Sequence, residues 1–320
     1  MSRKIGVISN PRSRRNKETM RDFLALLHDH PQVKHRAFHE MSDLPECLRE
    51  LAAEGVTNLV ISGGDGTVQA VLSEFINHSP FVTPPELNLL PSGMTNVIAR
   101  DMGIAELPLP YLKRLIDRVE AGDRGIDVER PVLTLDLGDD GPLIHGFLLG
   151  AIAFYQGTVL GRNRVHSLGF QQSLGSKLGL ALSVGKVLVY GPGERSGFTG
   201  ERVTQRIDGV AVPPEDLFLL VATTLTGILP GIKPFWGSGP GRMRLTTVSY
   251  PPQRLARAAL PALRGKPKPW MEAAGWRSRH AERLECDLSS PLVFDGEFLE
   301  ADGGPGFSLS VGPTLTFTRY

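Results

Sequence analysis

Residues 58–77 read Asn58-Leu-Val-Ile-Ser-Gly-Gly-Asp-Gly-Thr-Val-Gln-Ala-Val-Leu-Ser-Glu-Phe-Ile-Asn77. Leu59 to Ile61 is a short apolar run of the kind that a strand buried on both faces requires. Val68, Val71, Leu72, Phe75 and Ile76 follow at i, i+3, i+4, i+7 and i+8, which places one apolar stripe on a helix. Ser62-Gly63-Gly64-Asp65-Gly66-Thr67 joins the two. Glycines there tolerate positive φ and let a ligand approach the backbone. The helix that follows offers unpaired N–H groups and the positive end of its dipole, which suits a phosphate. A carboxylate beside phosphate makes sense if Asp65 holds Mg²⁺ or takes a proton from a hydroxyl. The plainer alternative is a tight turn with Asp or Thr capping a helix.

On either side, strands and helices alternate. Lys4–Ser9, Val33–Phe38 and Leu87–Leu90 read as strands; helices are expected after residue 16, with Phe23, Leu24, Leu26 and Leu27 inward, and over 43–53, from about Asn96, and over 108–120. This alternation argues a mostly parallel sheet covered on both faces. Ligands of such sheets bind beyond the carboxyl ends of the strands. The polar loops 10–16, 62–67 and 91–96 all follow strands, so they are expected to converge on one crevice.

From Arg130 the pattern changes to short strands separated by Gly and Pro turns, at 132–137, 143–155, 202–208, 217–223, 242–248, 284–288 and 292–294. Asp139-Asp140-Gly141 is a hairpin signal, and a helical stretch is expected over 167–190. The reading is therefore α/β plus all-β: an N-terminal doubly wound α/β domain over 1–128, a C-terminal β-sandwich over 129–311, and a closing strand, 312–320, that returns to the first domain.

The chain has 320 residues and a formal charge of +1, which gives no global basic field for nucleic acid. Cys47 and Cys286 are the two cysteines, distant in sequence and without a C-x-x-C neighbour, which argues against a zinc site or a disulfide framework. The first ten residues hold an apolar run too short for a signal peptide, and the longest apolar stretch, 147–155, is far short of a spanning helix. The expectation is a cytoplasmic chain that meets a membrane, if at all, from the surface. Residues 251–280 interleave Arg254, Arg257, Arg264, Lys266, Lys268, Arg277 and Arg279 with Leu255, Leu260, Leu263, Trp270 and Trp276, a pattern suited to an anionic bilayer on the inner membrane face; a solvated helix and loop is the alternative.

Taken together, Gly63-Gly64-Asp65-Gly66-Thr67, the Asn10-Pro11-x-Ser13 turn, the Pro91-x-Gly93 loop with Asn96, and the late Asp295-Gly296-Glu297 resemble the diacylglycerol kinase, sphingosine kinase and NAD kinase superfamily, and within it the bacterial-type lipid kinases. Arg14, Met94, Val97 and Phe154 depart from the family pattern. The resemblance implies a diacylglycerol kinase-like fold and an ATP-dependent phosphotransferase acting on a lipid hydroxyl, with ATP and Mg²⁺ as cofactors and no nucleic-acid partner. It implies nucleotide contacts from Asn10, Ser13, Gly63, Gly64, Asp65, Gly66, Thr67, Gly93, Thr95, Asn96 and Asp295, Mg²⁺ at Asp65, and a base at Glu297 with Asp65 as second candidate. Two rivals are a soluble-metabolite kinase of the NAD kinase type and a nucleotide- or lipid-binding relative without turnover.

Overall fold

The computed structural model describes residues 3–138, 141–168, 185–187, 189–300 and 306–320. The hairpin tip expected at 139–140 and most of the helical stretch expected over 167–190 lie outside them. The chain divides into two compact units. Unit 1 comprises residues up to Arg130, Ile144–Gly146 and Pro313–Tyr320; unit 2 comprises Pro131–Leu143 and Phe147–Gly312.

In unit 1, strands β1 (Ile5–Ser9), β2 (Lys34–Ala37), β3 (Asn58–Gly63) and β4 (Glu86–Pro91) alternate with helices α1 (Arg14–Asp29), α2 (Leu44–Ala53) and α3 (Asp65–His78); α4 (Val97–Asp101) and α5 (Pro108–Glu120) follow. β1 pairs in parallel with β2 on one side and β3 on the other, and β3 pairs in parallel with β4. β1 and β3 are buried along their whole length, as a parallel strand covered on both faces must be. The path leaves β1 for β2 in one direction and returns to the far side of β1 for β3. That reversal makes a topological switch point between β1 and β3, where a crevice opens beyond the strand ends.

The apolar stripe of α3 lies as its spacing dictates, with Val68, Val71, Leu72 and Phe75 buried. In α1 the reading needs a correction. Phe23 and Leu27 are buried, but Leu24 is 47% exposed. The inward face of α1 runs Asn16, Phe23, Leu27, at i, i+7 and i+11, and Leu24 falls off it. The closing strand does return to unit 1: Phe317 pairs in parallel with Leu87, the Thr318 hydroxyl donates to Asp127 at 2.9 Å, and the Tyr320 amide donates to the Tyr111 hydroxyl at 3.2 Å.

Two histidines sit inside this unit. His35 Nε2 lies 2.8 Å from the Ser9 hydroxyl, and its ring packs edge-on against Phe23 at 5.4 Å. His145 is buried, with Nε2 3.0 Å from Asn77 Oδ1 and its amide donating to the Ser73 hydroxyl at 2.9 Å. Burial lowers both imidazoles, and the Arg36 charge lowers His35 further. The unfolded chain therefore binds protons on these rings at a higher pH than the folded one. Their contribution is fully present above the ordinary histidine value of about 6.5 and is lost as pH falls below it, by up to about 1.4 kcal/mol per unit of separation for each ring. The melting temperature should drop between pH 7.5 and 5.5, and replacing His35 and His145 with glutamine should flatten that drop. An unchanged slope in the double variant would contradict this assignment.

Unit 2 is rich in antiparallel strands. β7 (Leu148–Ile152), β8 (Glu201–Ile207), β9 (Val210–Thr223), β10 (Met243–Ser249), β11 (Trp276–Ala281), β12 (Arg283–Asp287), β13 (Leu292–Phe294) and β14 (Glu297–Leu299) pair with their neighbours, and β9 pairs with β7, β8 and β10. The preceding β5 (Ile126–Asp136) begins in unit 1 and crosses into unit 2, and β6 (Ile144–Gly146) belongs to unit 1. The last strand, β15 (Phe307–Arg319), gives its first half to unit 2, paired with β12, and its second to unit 1. One helix, α6 (Ala153–Leu168), follows β7, and another, α7 (Leu255–Leu263), follows β10. Ala153, Phe198, Phe218, Val248, Met271 and Trp276 form a buried apolar cluster of this unit. The strand expected over 143–155 is shorter than read. It breaks between Gly146 and Leu148 and ends at Ile152, where φ is +60°, and α6 starts at the next residue.

Both cysteines are free and buried, Cys47 on α2 and Cys286 on β12, and burial pushes both thiols up. Among the described residues no helix is long and apolar enough to cross a membrane.

Candidate functional site

The three loops at the carboxyl ends of β1, β3 and β4 are bound to one another. The Asn10 amide donates to the Ser62 carbonyl at 3.0 Å, the Arg15 amide to the Ser92 carbonyl at 3.0 Å, and the Ser92 amide to the Gly63 carbonyl at 3.0 Å. Side chains repeat the pattern. Asn10 Nδ2 donates to Thr67 Oγ1 at 3.1 Å, and Ser13 Oγ lies 3.4 Å from the same oxygen. Asn16, Ser62 and Ser92 form a buried chain below them: the Ser62 hydroxyl donates to Asn16 Oδ1 at 3.1 Å and lies 3.2 Å from the Ser92 hydroxyl.

Glycine is needed here for close approach. Gly63, Gly64, Gly66 and Gly93 all avoid positive φ. A Cβ at Gly93 would stand 2.4 Å from the Gly64 Cα, and a Cβ at Gly63 would stand 2.3 Å from the Thr67 side chain. The bare backbones thus let loops 62–67 and 91–96 pack directly on each other. The left-handed residue in the region is Asn96, at φ +49°, whose Oδ1 accepts from the Gly93 amide at 2.8 Å and whose Nδ2 donates to the Gly93 carbonyl at 3.1 Å. An asparagine tolerates that conformation and can bond its own loop.

Asp65 opens α3. Its Oδ2 accepts from the Thr95 hydroxyl at 2.8 Å, and its Oδ1 accepts from the Ile98 amide at 3.0 Å. It therefore caps the N-terminus of α4 from across the crevice and ties the second loop to the third. Burial pushes this carboxyl above the usual carboxylate range; hydrogen bonds from Ile98, Thr95 and Val97 and the Arg100 charge offset part of that. Neither Ser13, at the start of α1, nor Gly64, at the start of α3, makes a side-chain capping bond, so no cap from either residue occupies the first-turn amides of the two helices. Those termini carry the chemistry that an anion seeks. Arg15, at the same loops, donates to the Pro91 carbonyl at 3.2 Å, and burial and the Arg100 charge lower its guanidinium.

The second acidic motif lies in unit 2. Asp295 and Gly296 form the two-residue tip between β13 and β14, with φ of +48° and +92°, as an Asp-Gly hairpin turn demands. Asp295 is 5% exposed, and its oxygens accept from the Phe147 and Leu148 amides, each at 2.9 Å. Diverting those two amides is what interrupts the strand between Gly146 and Leu148. Glu297 is exposed and, among the described residues, its carboxylate has neither a hydrogen bond nor an ion pair. Its neighbour Phe298 stacks edge-on against Tyr155 of α6 at 5.3 Å. Phe154 packs over Gly150, where an added Cβ would stand 2.2 Å from its ring.

Arg15, which with Arg12 and Arg14 could add charge against phosphates, lies in the expected loop, whereas the buried Asn16–Ser62–Ser92 chain escapes the motif reading. A signal was present: Ser9, Ser62 and Ser92 close or follow three successive apolar strands. Among the described residues no cluster of three metal-ligating side chains exists.

A parallel sheet with loops knitted at its switch point, followed by a β-rich unit, is the diacylglycerol kinase type of fold. The chain superposes over 99% of its length, with a TM-score of 0.60 and 14% identity, on 97% of a diacylglycerol kinase from Bacillus anthracis str. Sterne, a likeness of fold. Residues 4–126 match the family model "Diacylglycerol kinase catalytic domain". The chain is also 33% identical over 89 residues, 28% of its length, to "Probable lipid kinase YegS-like" proteins of Xanthomonas oryzae pv. oryzae (strain MAFF 311018) and Xanthomonas axonopodis pv. citri (strain 306). The match spans 29% of the length of each of these relatives. Residues 4–126 thus match the catalytic-domain model of the diacylglycerol kinases, and the likeness over the whole chain is one of fold.

Proposed function

We propose that the chain is an ATP-dependent lipid kinase that transfers the γ-phosphoryl group to the hydroxyl of a lipid. The observation that carries this reading is the knot of three strand-end loops at the β1/β3 switch point, with the N-termini of α1 and α3 and Asp65 among them. Phosphoryl transfer asks for positioning and charge neutralisation more than for covalent chemistry. The α1 and α3 termini would face the phosphates, and the Asn10, Ser13 and Thr67 side chains, now bonded to one another, would offer donors. Asp65 fits a Mg²⁺ ligand as a hard carboxylate oxygen donor at the strand-end loops. As no three protein ligands cluster among the described residues, the remaining ligands would come from phosphate and water. Mg²⁺ would supply charge neutralisation there. Glu297, exposed and without a partner among the described residues, would accept the lipid hydroxyl proton as the oxygen attacks phosphorus and ADP leaves. The acyl chain would sit in unit 2, near residues 146–190. Segment 169–184, in the stretch where that site was expected, lies outside the described residues.

Label from γ-labelled ATP should appear in one member of a panel of diacylglycerol, monoacylglycerol, a long-chain base and a prenol, read by chromatography. Transfer to none of them would overturn the reading.

Lipid substrates lie in a membrane, and one surface of unit 2 suits an anionic one. On α7, Ala258 and Ala262 face inward, while Arg257, Leu260 and Arg264, at i, i+3 and i+7, share the outward stripe. Leu260 is 55% exposed, and Lys266 and Lys268 are exposed beside it. The tryptophans play another part than the interleaving suggested. Trp276 is 5% exposed and donates to the Gln253 carbonyl at 3.0 Å, and Trp270 lies under the Arg254 guanidinium at 5.2 Å. Charge reversal at Arg257 and Arg264 together should reduce the affinity for anionic vesicles read by flotation by about thirtyfold or more, at about 1 kcal/mol per cation removed and more on reversal. Flotation equal to that of the parent protein would count against this surface.

A further inference from the structure

Phosphoryl transfer makes no use of one apolar turn of unit 2. Residues 227–236 read Gly-Ile-Leu-Pro-Gly-Ile-Lys-Pro-Phe-Trp, in which Lys233 is the sole charge. Leu229-Pro230-Gly231-Ile232 closes a tight turn: the Ile232 amide donates to the Leu229 carbonyl at 2.8 Å, and Gly231 stands at φ +80°. A Pro-Gly pair suits such a turn, since proline presets its own φ and glycine accepts the left-handed one. The Ile228 amide donates to the Ile232 carbonyl at 3.0 Å, and the Leu229 amide reaches the same oxygen at 3.5 Å. Pro230 has no N–H to satisfy. Between Ile228 and Ile232, Gly231 therefore keeps the one amide without a backbone partner. Such a turn can leave water with few unpaired donors to desolvate. Pro230 and Gly231 are exposed at its tip, and Ile228, Leu229 and Ile232 are half-buried.

The turn is fastened to the end of α7. The Lys233 amide donates to the Leu263 carbonyl at 2.8 Å. Gly265, at φ +62°, comes so close that a Cβ there would stand 2.6 Å from the Lys233 and Phe235 carbonyl oxygens. The cations around this joint are unneutralised. Arg206, Arg242, Arg277 and Arg283 of the same unit each pair with a carboxylate. Lys233, Arg257, Arg264, Lys266 and Lys268 are exposed, and none has an ion pair among the described residues. Free cations with an exposed Leu260 and an apolar turn among them match a partner that is anionic at its surface and apolar beneath. Nucleic acid would take up the charges but gains nothing from the aliphatic turn.

We propose that the Leu229–Ile232 turn inserts into the acyl boundary of an anionic lipid bilayer, with Lys233, Arg264 and Lys266 at the level of the headgroup phosphates. This rests on the anionic-membrane surface proposed above for α7, not on phosphoryl transfer. It adds to the cations of α7 an apolar anchor that salt does not screen.

The test uses the full chain with a fluorophore on one added thiol. Cys47 and Cys286 are buried, so Pro230→Cys carries an NBD label at the exposed tip of the turn, and Val210→Cys carries it at an exposed position on β9 as control. With phosphatidylcholine–phosphatidylglycerol vesicles, the label at 230 should shift to the blue and be quenched by spin-labelled acyl chains, and the label at 210 should do neither. Leu229→Ser together with Ile232→Ser should weaken vesicle binding by about tenfold or more, about 1.4 kcal/mol. The same pair should abolish the binding that persists at about 1 M salt, where charges act over only about 3 Å. A melting temperature equal to that of the parent shows the unit intact in this variant, and the label at 230 reports insertion without it. An unshifted label at 230 on vesicles that bind the protein, or unchanged binding of the double variant, would overturn insertion and leave the α7 surface standing. No binding to anionic vesicles at low salt would overturn both.

Discussion

Replacing Asp65 with asparagine should abolish phosphoryl transfer, by about 10³-fold or more, while leaving the protein folded. The fold should survive because asparagine keeps the shape of the carboxylate. Its Oδ1 still accepts from the Ile98 amide, and its Nδ2 meets the Thr95 hydroxyl, which can turn to accept. What is lost is the charge that would hold Mg²⁺ against the phosphates, and with it much of the electrostatic stabilisation of the transferring group. Asp65→Ala would confuse the two effects, since it strips two bonds of roughly 1.5–3 kcal/mol each from the joint between the second and third loops. The measurement is initial rate of labelled phospholipid formation together with the melting temperature. Because burial raises this carboxyl, protonation should also cut activity on the acid side at a higher pH than an ordinary aspartate would give. Asparagine-variant activity within tenfold of the parent would remove Asp65 from the mechanism.

Replacing Glu297 with glutamine should reduce kcat by about 10²–10⁴-fold, the range for loss of a general base. Here the stability expectation is sharper. Glu297 is exposed and unpaired among the described residues, so the variant should melt with the parent. Lipid KM should change little if the carboxylate acts only on the proton in flight. A parallel rise in KM with kcat preserved would instead make Glu297 a binding residue. Asp295 behaves differently despite lying two positions away. Its oxygens hold the Phe147 and Leu148 amides, so Asp295→Ala acts on the local fold of unit 2 as well as on any nucleotide contact.

Much of unit 1 was legible because its signals are local. Leu59–Ile61 and the stripe from Val68 to Phe75 fix a strand and a helix whatever surrounds them, and the Pro at the start of α5 marks its first turn. Leu24 was misplaced because four leucine and phenylalanine positions in five cannot all face one side of a helix. What escaped the sequence was nonlocal. The Gly64–Gly93 contact, the Ser62–Ser92 chain and the cap that Asp65 gives to α4 each join residues about thirty positions apart, and periodicity says nothing about such pairs. In unit 2 the Asp-Gly turn at 295–296 could be read from its dipeptide, but the use of Asp295 to break the strand at Phe147 could not. The Trp276 side chain looked interfacial from its basic neighbours, yet pairing of β11 with β10 turns it into the core.

The most direct test of the lipid kinase reading is a competition in one tube. Wild-type protein receives γ-labelled ATP, Mg²⁺, mixed micelles of the unphosphorylated lipid that accepts label in the panel, and NAD at equal concentration, and the label is partitioned between organic and aqueous phases. Label in the organic phase as a phospholipid, with none in NADP, is the expected result. Label in NADP, or in neither acceptor, would contradict it.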